Sequence, residues 1–313
     1  MEFFRINRTI DFMRLRKPMV ILSVVLVLAS ILLLATRGLN FGLDFTGGTL
    51  IEVGYENPVD LAGVRETLRQ GEFGDAVAQH FGTSRDVLVR LAPRADVSSA
   101  DLSTRVLRVL QDGAAGQKVE VRRVEFVGPQ VGDQLVEQGG LAMLYALIGI
   151  FIYVAFRFEW RFSAGAILAT VHDVVLTLGL FSLLQVEFDL TVLAAVLAVI
   201  GYSVNDTVVV FDRIRENFRK LRKGTSMDVV NSSLTQTLSR TIMTSGTTLI
   251  VVVALFLLGG TLIHAFAIAL IFGIVIGTYS SIYVASFAAL ALGVSRQDLV
   301  LPKKEGAEAG GQP

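Results

Sequence analysis

Hydrophobic and polar positions fall along this chain in long blocks. Six apolar runs, Pro18–Thr36, Leu141–Phe158, Ser163–Leu184, Leu190–Phe211, Arg240–Leu258 and Leu262–Leu292, are separated by polar stretches. About 20 apolar residues rising 1.5 Å each cross the ~30 Å hydrocarbon core of a bilayer, so each run predicts a transmembrane helix. The first run, VILSVVLVLASILLLA at its centre, competes with a signal peptide. It is longer than the usual apolar region of one, and Ala35-Thr36-Arg37 is a poor cleavage site, so it is read as a retained span.

Gly38–Gly140 is polar enough to lie in water. Its pattern predicts a strand at Thr49–Tyr55, a helix at Val59–Gln70, strands at Ala76–Phe81 and Asp86–Leu91, a helix at Ser98–Gln111 and a strand at Lys118–Phe126. Asp60 and Ser98 or Ser99 fit as helix N-caps. The order β-α-β-β-α-β is the split-βαβ, ferredoxin-like pattern. The expected fold is an α-helical membrane protein with six transmembrane helices, carrying a small α+β, ferredoxin-like extracytoplasmic domain at 37–140 between helices one and two. Residues 141–294 make the other five helices, Asp212–Ser239 reads as a surface-lying helical connector, and 295–313 reads as a disordered tail.

Composition strengthens the membrane reading. The chain is 52% hydrophobic and 18% charged, where a soluble domain has ~45–50% and about 25%. Lys+Arg and Asp+Glu both number 28, so net charge gives no nucleic-acid footprint. There are no cysteines, which excludes disulfides and thiolate-held metals. His80, His172 and His264 lie far apart, so no metal or cofactor is expected. Charge placement sets sidedness. Basic residues crowd the N-terminus (Arg5, Arg8, Arg14, Arg16, Lys17), the Arg157–Arg161 turn, the Arg213–Lys223 stretch and the tail, whereas the turn with Glu187 and Asp189 is acidic. Lys and Arg in short loops stay inside, so both termini are expected in the cytoplasm and the 37–140 domain outside.

Several polar residues interrupt the spans. The third span holds His172 and Asp173, with Thr170, Asp173 and Thr177 on one helical face. The fourth holds Tyr202, Ser203, Asn205 and Asp206; the fifth opens with Ser233, Thr237, Arg240, Thr241, Thr244 and Thr248. A carboxylate at the bilayer centre costs about 3 kcal/mol on insertion scales, so an intramembrane Asp marks a functional site with a partner nearby. The three polar faces are expected to meet inside the bundle. Arg240, at the mouth of a polar-faced span, is the natural partner of Asp206. Attraction to a cation and desolvation act in opposite senses on a carboxyl's protonation, so small helix movements can change it, as a proton relay requires. The competing readings are structural: an ion pair that only holds helices together, a His172 bonded to a backbone carbonyl, and an Arg240 that snorkels to the interface. The 213–223 run fits contact with anionic lipid headgroups.

Two further motifs flank the water-exposed domain. Gly42–Thr49 reads GLDFTGGT, a glycine-rich turn after the first span; without G-K-[ST] it is not a phosphate loop. Val127–Leu135 reads VGPQVGDQL, leading into the second span. Together with His172-Asp173 in the third span and GYSVNDTVVVFDRIREN at Gly201–Asn217, these motifs resemble the SecF proteins of the SecD/SecF family, protein-export membrane subunits in the resistance-nodulation-division superfamily. The resemblance covers about residues 3 to 293. It implies a partnership with SecD beside the SecYEG translocon and use of the proton-motive force to help an unfolded preprotein leave on the outer side. It carries the family's essential Asp onto Asp206 and its Arg onto Arg240, with Asn205 beside them. It leaves His172, Asp173, Thr170, Thr177, Thr244 and Thr248 as a secondary polar network, and Gly42, Asp44, Gly47, Gly48, Gly128 and Pro129 as structural motif residues. The sequence leaves H⁺ and Na⁺ both open as coupling ion, and an isolated carboxylate with few oxygen neighbours favours H⁺. The alternatives weighed are a proton-coupled exporter of small molecules or lipids, a scaffold subunit, and an intramembrane aspartyl protease using Asp173 and Asp206, which lacks the G-x-G-D motif it needs.

Overall fold

A computed structural model of the chain describes residues 8–93, 99–114, 116–221 and 223–294; Arg5, Ser98, Arg222 and the tail 295–313 lie outside them. Among the described residues, six helical stretches are long and apolar enough to cross a membrane. The chain enters α1 (Arg16–Thr36) through a 3-10 turn at Phe12–Leu15, where Asp11 accepts a hydrogen bond from the Arg14 N–H. A short turn α2 (Leu43–Thr46) follows, then β1 (Gly48–Tyr55), α3 (Leu61–Gln70), β2 (Val77–Phe81), β3 (Thr83–Leu91), α4 (Ser99–Gly113) and β4 (Val119–Val127). The remaining spans are α5 (Pro129–Arg157), α6 (Trp160–Leu184), α7 (Leu190–Lys220), α8 (Ser226–Leu258) and a composite sixth stretch. That stretch runs from α9 (His264–Ser280) through a π-helical turn at Ser281–Ala285 into α10 (Ser286–Ala291).

The strands form one antiparallel sheet in the order β2-β3-β1-β4, which is the ferredoxin-like arrangement expected. Period-2 alternation puts Ile51, Val53, Val87, Val89 and Leu91 on one face, where they pack with Val64, Leu68, Val106 and Leu110 of α3 and α4. Asp60 caps α3, accepting from the Gly63 N–H at 3.2 Å. The opposite face of the sheet looks onto the helix bundle. Leu50, Glu52, Leu88, Arg123 and Glu125 line a cavity of about 160 Å³ closed from below by Glu187, Asp189 and Leu262.

The spans depart from the apolar runs at their ends. α5 starts at Pro129, well before Leu141. Proline suits the first helical position, and the polar Gln130–Gly140 stretch continues the helix outside the apolar segment. Asp212–Ser239 is not a separate connector lying on the surface. It is the end of α7 at Lys220 and the start of α8 at Ser226. No breaker follows Phe211, and Glu216 pairs with both Arg213 and Lys220 along the helix. Gly224 turns the chain at φ +103°, and a Thr225/Asp228 capping box starts α8. Asn217 donates to Ser233 Oγ at 2.9 Å and Gln236 Oε1 at 3.0 Å, zipping the hairpin. Residues Ile10 and Met13 donate their backbone N–H groups to Thr235 and Asn231 of the same hairpin.

Inside the bundle, Phe162 and Phe211 meet edge to face with centroids 4.9 Å apart, joining α6 to α7. The sixth stretch packs tightly on α7 at two glycines. A Cβ on Gly273 would sit 2.2 Å from Val199 Cγ2, and one on Gly277 would sit 3.3 Å from Ser203 Cβ. This small-xxx-small pair lets two backbones come together without bulk between them.

Candidate functional site: two buried carboxylates and the domain root

Asp206 lies sixteen residues into α7, about 24 Å from the domain-side end at 1.5 Å per residue. It is 5% exposed. Its Oδ1 accepts from Thr241 Oγ1 of α8 at 2.8 Å, and its Oδ2 accepts from Ser281 Oγ of the π-helical turn at 2.6 Å. Arg240 does not pair with it. The Arg240 side chain is exposed, and no ion pair within 4.0 Å joins the two, although the guanidinium is near enough to act on the carboxyl through space. Asn205, next in sequence, faces outward and is exposed. Adjacent helical residues point about 100° apart, so Asn205 cannot share the inward face of Asp206.

Asp173, on α6, is 1% exposed. Its Oδ2 accepts from Ser203 Oγ of α7 at 2.5 Å and Ser280 Oγ of α9 at 2.6 Å; its Oδ1 lies 2.8 Å from His172 Nδ1. His172 is 5% exposed, and its Nε2 is buried without a hydrogen-bond partner. His172 therefore bonds its neighbour's carboxyl, not a backbone carbonyl. Thr170 and Thr177 share the buried face as expected, each donating to the carbonyl four residues back, Ala166 and Asp173.

The α8 stripe divides differently from the sequence expectation. Ser233, Thr237, Thr241 and Ser245, spaced by four, form one buried line, and Asn231 and Thr235 are buried beside its start. Arg240 and Thr244 are exposed and Thr248 is half-buried, with Thr244 donating to Arg240 O and Thr248 to Thr244 O. A threonine can satisfy its hydroxyl on its own helix, so its polarity does not oblige it to face inward. Ser280 and Ser281 join the site although neither was expected there. The available signal was Thr278-Tyr279-Ser280-Ser281 inside an otherwise apolar run. A second chain of hydroxyls runs from Tyr202 to Ser245 at 3.1 Å and on to Thr278 at 2.8 Å.

The glycine-rich motif forms the root of the sheet domain. Gly42 precedes the α2 turn, and Gly47 and Gly48 follow at φ +65° and +123°. Gly48 has no room for a side chain, since a Cβ would lie 2.3 Å from Leu91 O. Asp44 Oδ2 accepts from the Leu190 N–H at 3.0 Å, so this motif caps the N-terminus of α7 together with Asp189. The Gly42 N–H donates to Phe188 O at 2.8 Å, and Arg90 of β3 reaches Phe41 O at 2.9 Å, contacts Thr46 and lies 3.7 Å from Glu187. Burial holds the Glu187 carboxyl above the usual glutamate range, against the opposing pull of Arg90. The second motif closes the root from the other side: Gly128 is the N-cap of α5, Pro129 opens it, and Gly132 packs on Phe45 and Gly47 backbone.

Comparison with known proteins places this architecture. Residues 109–295 match "Protein export membrane protein SecD/SecF, C-terminal", and residues 32–59 match "SecD/SecF GG Motif". The chain is 57% identical to a protein translocase subunit SecF of Vibrio alginolyticus over 98% of each chain. It is 46% identical to that of Escherichia coli O157:H7 over 96% of this chain and 94% of the relative. The crystal structure of SecDF from Thermus thermophilus, a translocon-associated membrane protein, superposes with a TM-score of 0.83 at 38% identity. That match covers 93% of this chain and 39% of the longer SecDF chain. A second SecDF structure, in a super-membrane-facing form, matches with the same coverage and identity at a TM-score of 0.70. With its sheet domain rooted on the GG motif and its spans carrying the family's C-terminal pattern, this multi-pass membrane protein belongs to the SecD/SecF family.

Proposed function

We propose that this chain is the SecF-type subunit of a proton-driven complex that promotes preprotein translocation, and that Asp206 is its proton-binding carboxyl. The observation that carries the reading is the setting of Asp206: a buried carboxyl at membrane depth, held by two hydroxyls and by no cation in contact. Hydroxyls can donate to a carboxylate or accept from a carboxylic acid, so both protonation states are accommodated. A fixed ion pair would resist protonation; Arg240 held apart does not. One charge moving across 100 mV contributes about 2.3 kcal/mol, so a few protons per cycle can drive a domain motion against a modest load. Apart from the carboxyl O–H that forms and breaks with each proton, no covalent bond is made or broken in this scheme, and the subunit is a transport motor rather than an enzyme, with H⁺ as coupling ion.

The route to the domain is short. The helix that carries Asp206 begins at the domain root, where Asp44 holds the Leu190 N–H. A shift of α7 therefore reaches the sheet domain through this capped end as well as along the chain through α1 and α5. That SecDF has been solved in forms matching this chain at TM-scores of 0.83 and 0.70, with the same identity, favours a moving architecture. Asn205 and Arg240 are exposed on spanning helices, and large apolar side chains of α8 such as Ile250 and Leu258 are uncovered. A second membrane half, SecD, would cover such surfaces, and the length of SecDF beyond this match leaves room for one. In this reading the complex sits in the cytoplasmic membrane of a bacterial cell beside SecYEG. Both termini are cytoplasmic, Arg219 and Lys223 face anionic headgroups, and the sheet domain handles the emerging unfolded chain outside.

The test is export into inverted vesicles containing the complex with Asp206→Asn, with the proton gradient imposed and then collapsed. The variant is expected to assemble and to lose the gradient-dependent part of export. Unchanged gradient dependence would make Asp206 structural and favour a scaffold role.

A further inference from the structure

The mechanism above uses one carboxyl, yet a second is buried beside it with a histidine whose outer nitrogen is free of any partner. Asp173 lies eleven residues from the domain-side end of α6, about 16 Å in, nearer that side than Asp206 at about 24 Å. The two are not independent. Ser280 donates to Asp173 and Ser281 donates to Asp206, and these serines are consecutive. Neighbouring side chains on an α-helix diverge by about 100°. Here the chain passes into a π-helical turn at Ser281, whose wider winding brings successive side chains closer in direction. Such single π turns inside α-helices are frequent at functional sites. This one is held open by a side chain, as Ser286 Oγ donates to Ser281 O at 3.0 Å. Ser203, the other donor to Asp173, lies on α7 three residues before Asp206.

We infer that Asp173 with His172 is a second proton-binding site, coupled to Asp206 through the Ser280–Ser281 pair. The inference rests on the proton-site reading of Asp206. Each serine has one hydroxyl hydrogen and two acceptors in reach. Ser281 Oγ lies 2.6 Å from Asp206 Oδ2 and 3.0 Å from Thr278 O; Ser280 Oγ lies 2.6 Å from Asp173 Oδ2 and 3.1 Å from Gly277 O. An ionised carboxylate takes the hydrogen bond. When a proton binds the carboxylate, its new O–H donates to the serine oxygen, and the serine hydrogen turns to the carbonyl one turn back. No covalent bond besides the carboxyl O–H forms, and the positive charge gained is that of the arriving proton. Because the two serines share a peptide unit and their two carbonyl acceptors are consecutive, the turn of one hydroxyl alters the setting of the other. At the Asp173 end, an Nδ1–H donated to the ionised carboxylate leaves the His172 Nε2 lone pair open as a proton acceptor. The titratable and charged groups around the pair are His172 itself, Tyr279 with its ring 6.2 Å from the imidazole, Asp206, and Arg240 acting on Asp206 from α8.

The experiment is infrared difference titration of the full SecD-containing complex in proteoliposomes. The protonated carboxyl bands are assigned by their loss in Asp173→Asn and Asp206→Asn. Two titrating bands are expected, and Asp206→Asn is expected to move the Asp173 midpoint by about one pH unit, the scale at which sites titrate as a pair. In Ser280→Ala or Ser281→Ala backgrounds that displacement should fall below about a third of its size. Ser280→Cys and Ser281→Cys, which keep the volume with a weaker donor, should give intermediate values and guard against misfolding of the alanine variants. Absence of a titrating Asp173 band overturns the second site. An undiminished displacement in all four serine variants overturns the coupling route. A missing Asp206 band would instead refute the proton-site reading beneath it, and the two failures are separately visible.

Discussion

At the residue scale, function in this bundle depends on which side chains face each other, and hydroxyls decide much of it. Thr241 and Thr244 are three positions apart on one helix, but only Thr241 touches Asp206. Thr241→Val removes a donor from a buried carboxyl and is expected to cost about 1–3 kcal/mol and to depress gradient-dependent export. Thr244→Val removes only a bond to its own helix and should stay within about 0.5 kcal/mol. Thermal unfolding of the purified complex, beside vesicle export, checks both. Similar effects from the two substitutions would mean that the Thr241 contact carries no function.

At the scale of elements, the contact between α7 and the sixth stretch places Ser203 and Asp206 against Ser280 and Ser281. Gly273 sets that distance. A methyl there meets Val199 at 2.2 Å, and because both backbones are held by neighbouring helices, the clash must be relieved by separating the pair. Gly273→Ala is expected to destabilise by about 1–3 kcal/mol as an overpacked site. It should also weaken gradient-dependent export, because the serine–carboxylate bonds lengthen with the separation. Gly277→Ala, whose Cβ would meet Ser203 at 3.3 Å, should do less. A ranking of these two in the opposite order would place the tight contact elsewhere.

At the scale of the whole molecule, the sheet domain and the bundle meet at a seam where Asp44, Gly42, Arg90 and Glu187 bind the domain root to the α6–α7 turn. Glu187 makes this seam sensitive to pH. Its folded-state carboxyl is held above the ordinary value of 4.5, chiefly by burial. The protonated form is thus the one the fold favours. The contribution is complete below 4.5 and is lost as pH rises through the elevated value. Hydrogen-exchange protection of the Gly42 and Phe188 amides, corrected for intrinsic rates, is expected to fall across that window. Glu187→Gln should flatten the profile and match the native protein at its acid end. An unchanged slope in the variant would assign the pH dependence to another group.

The number of spans, the β-α-β-β-α-β order of the domain and the inward burial of Asp206 and Asp173 were all readable from the chain alone. Each follows from a local rule: the length of an apolar run, the period of a pattern, and the cost of a carboxyl in hydrocarbon. Asp60 as a cap and Thr170, Asp173 and Thr177 as one buried face were legible for the same reason. The ends of α5, α7 and α8 were not, because hydropathy marks only the part of a helix in lipid and is blind to polar turns that continue it. Partners were not legible either. Arg240 matched Asp206 in charge, but helical phase and packing turned it outward and brought Thr241 and Ser281 to the carboxyl instead. Asp44 looked like part of a turn until the fold set it on the first N–H of α7. Such contacts join residues far apart in the chain, and only the tertiary packing of helices fixes which hydroxyl, carbonyl or carboxyl each one meets.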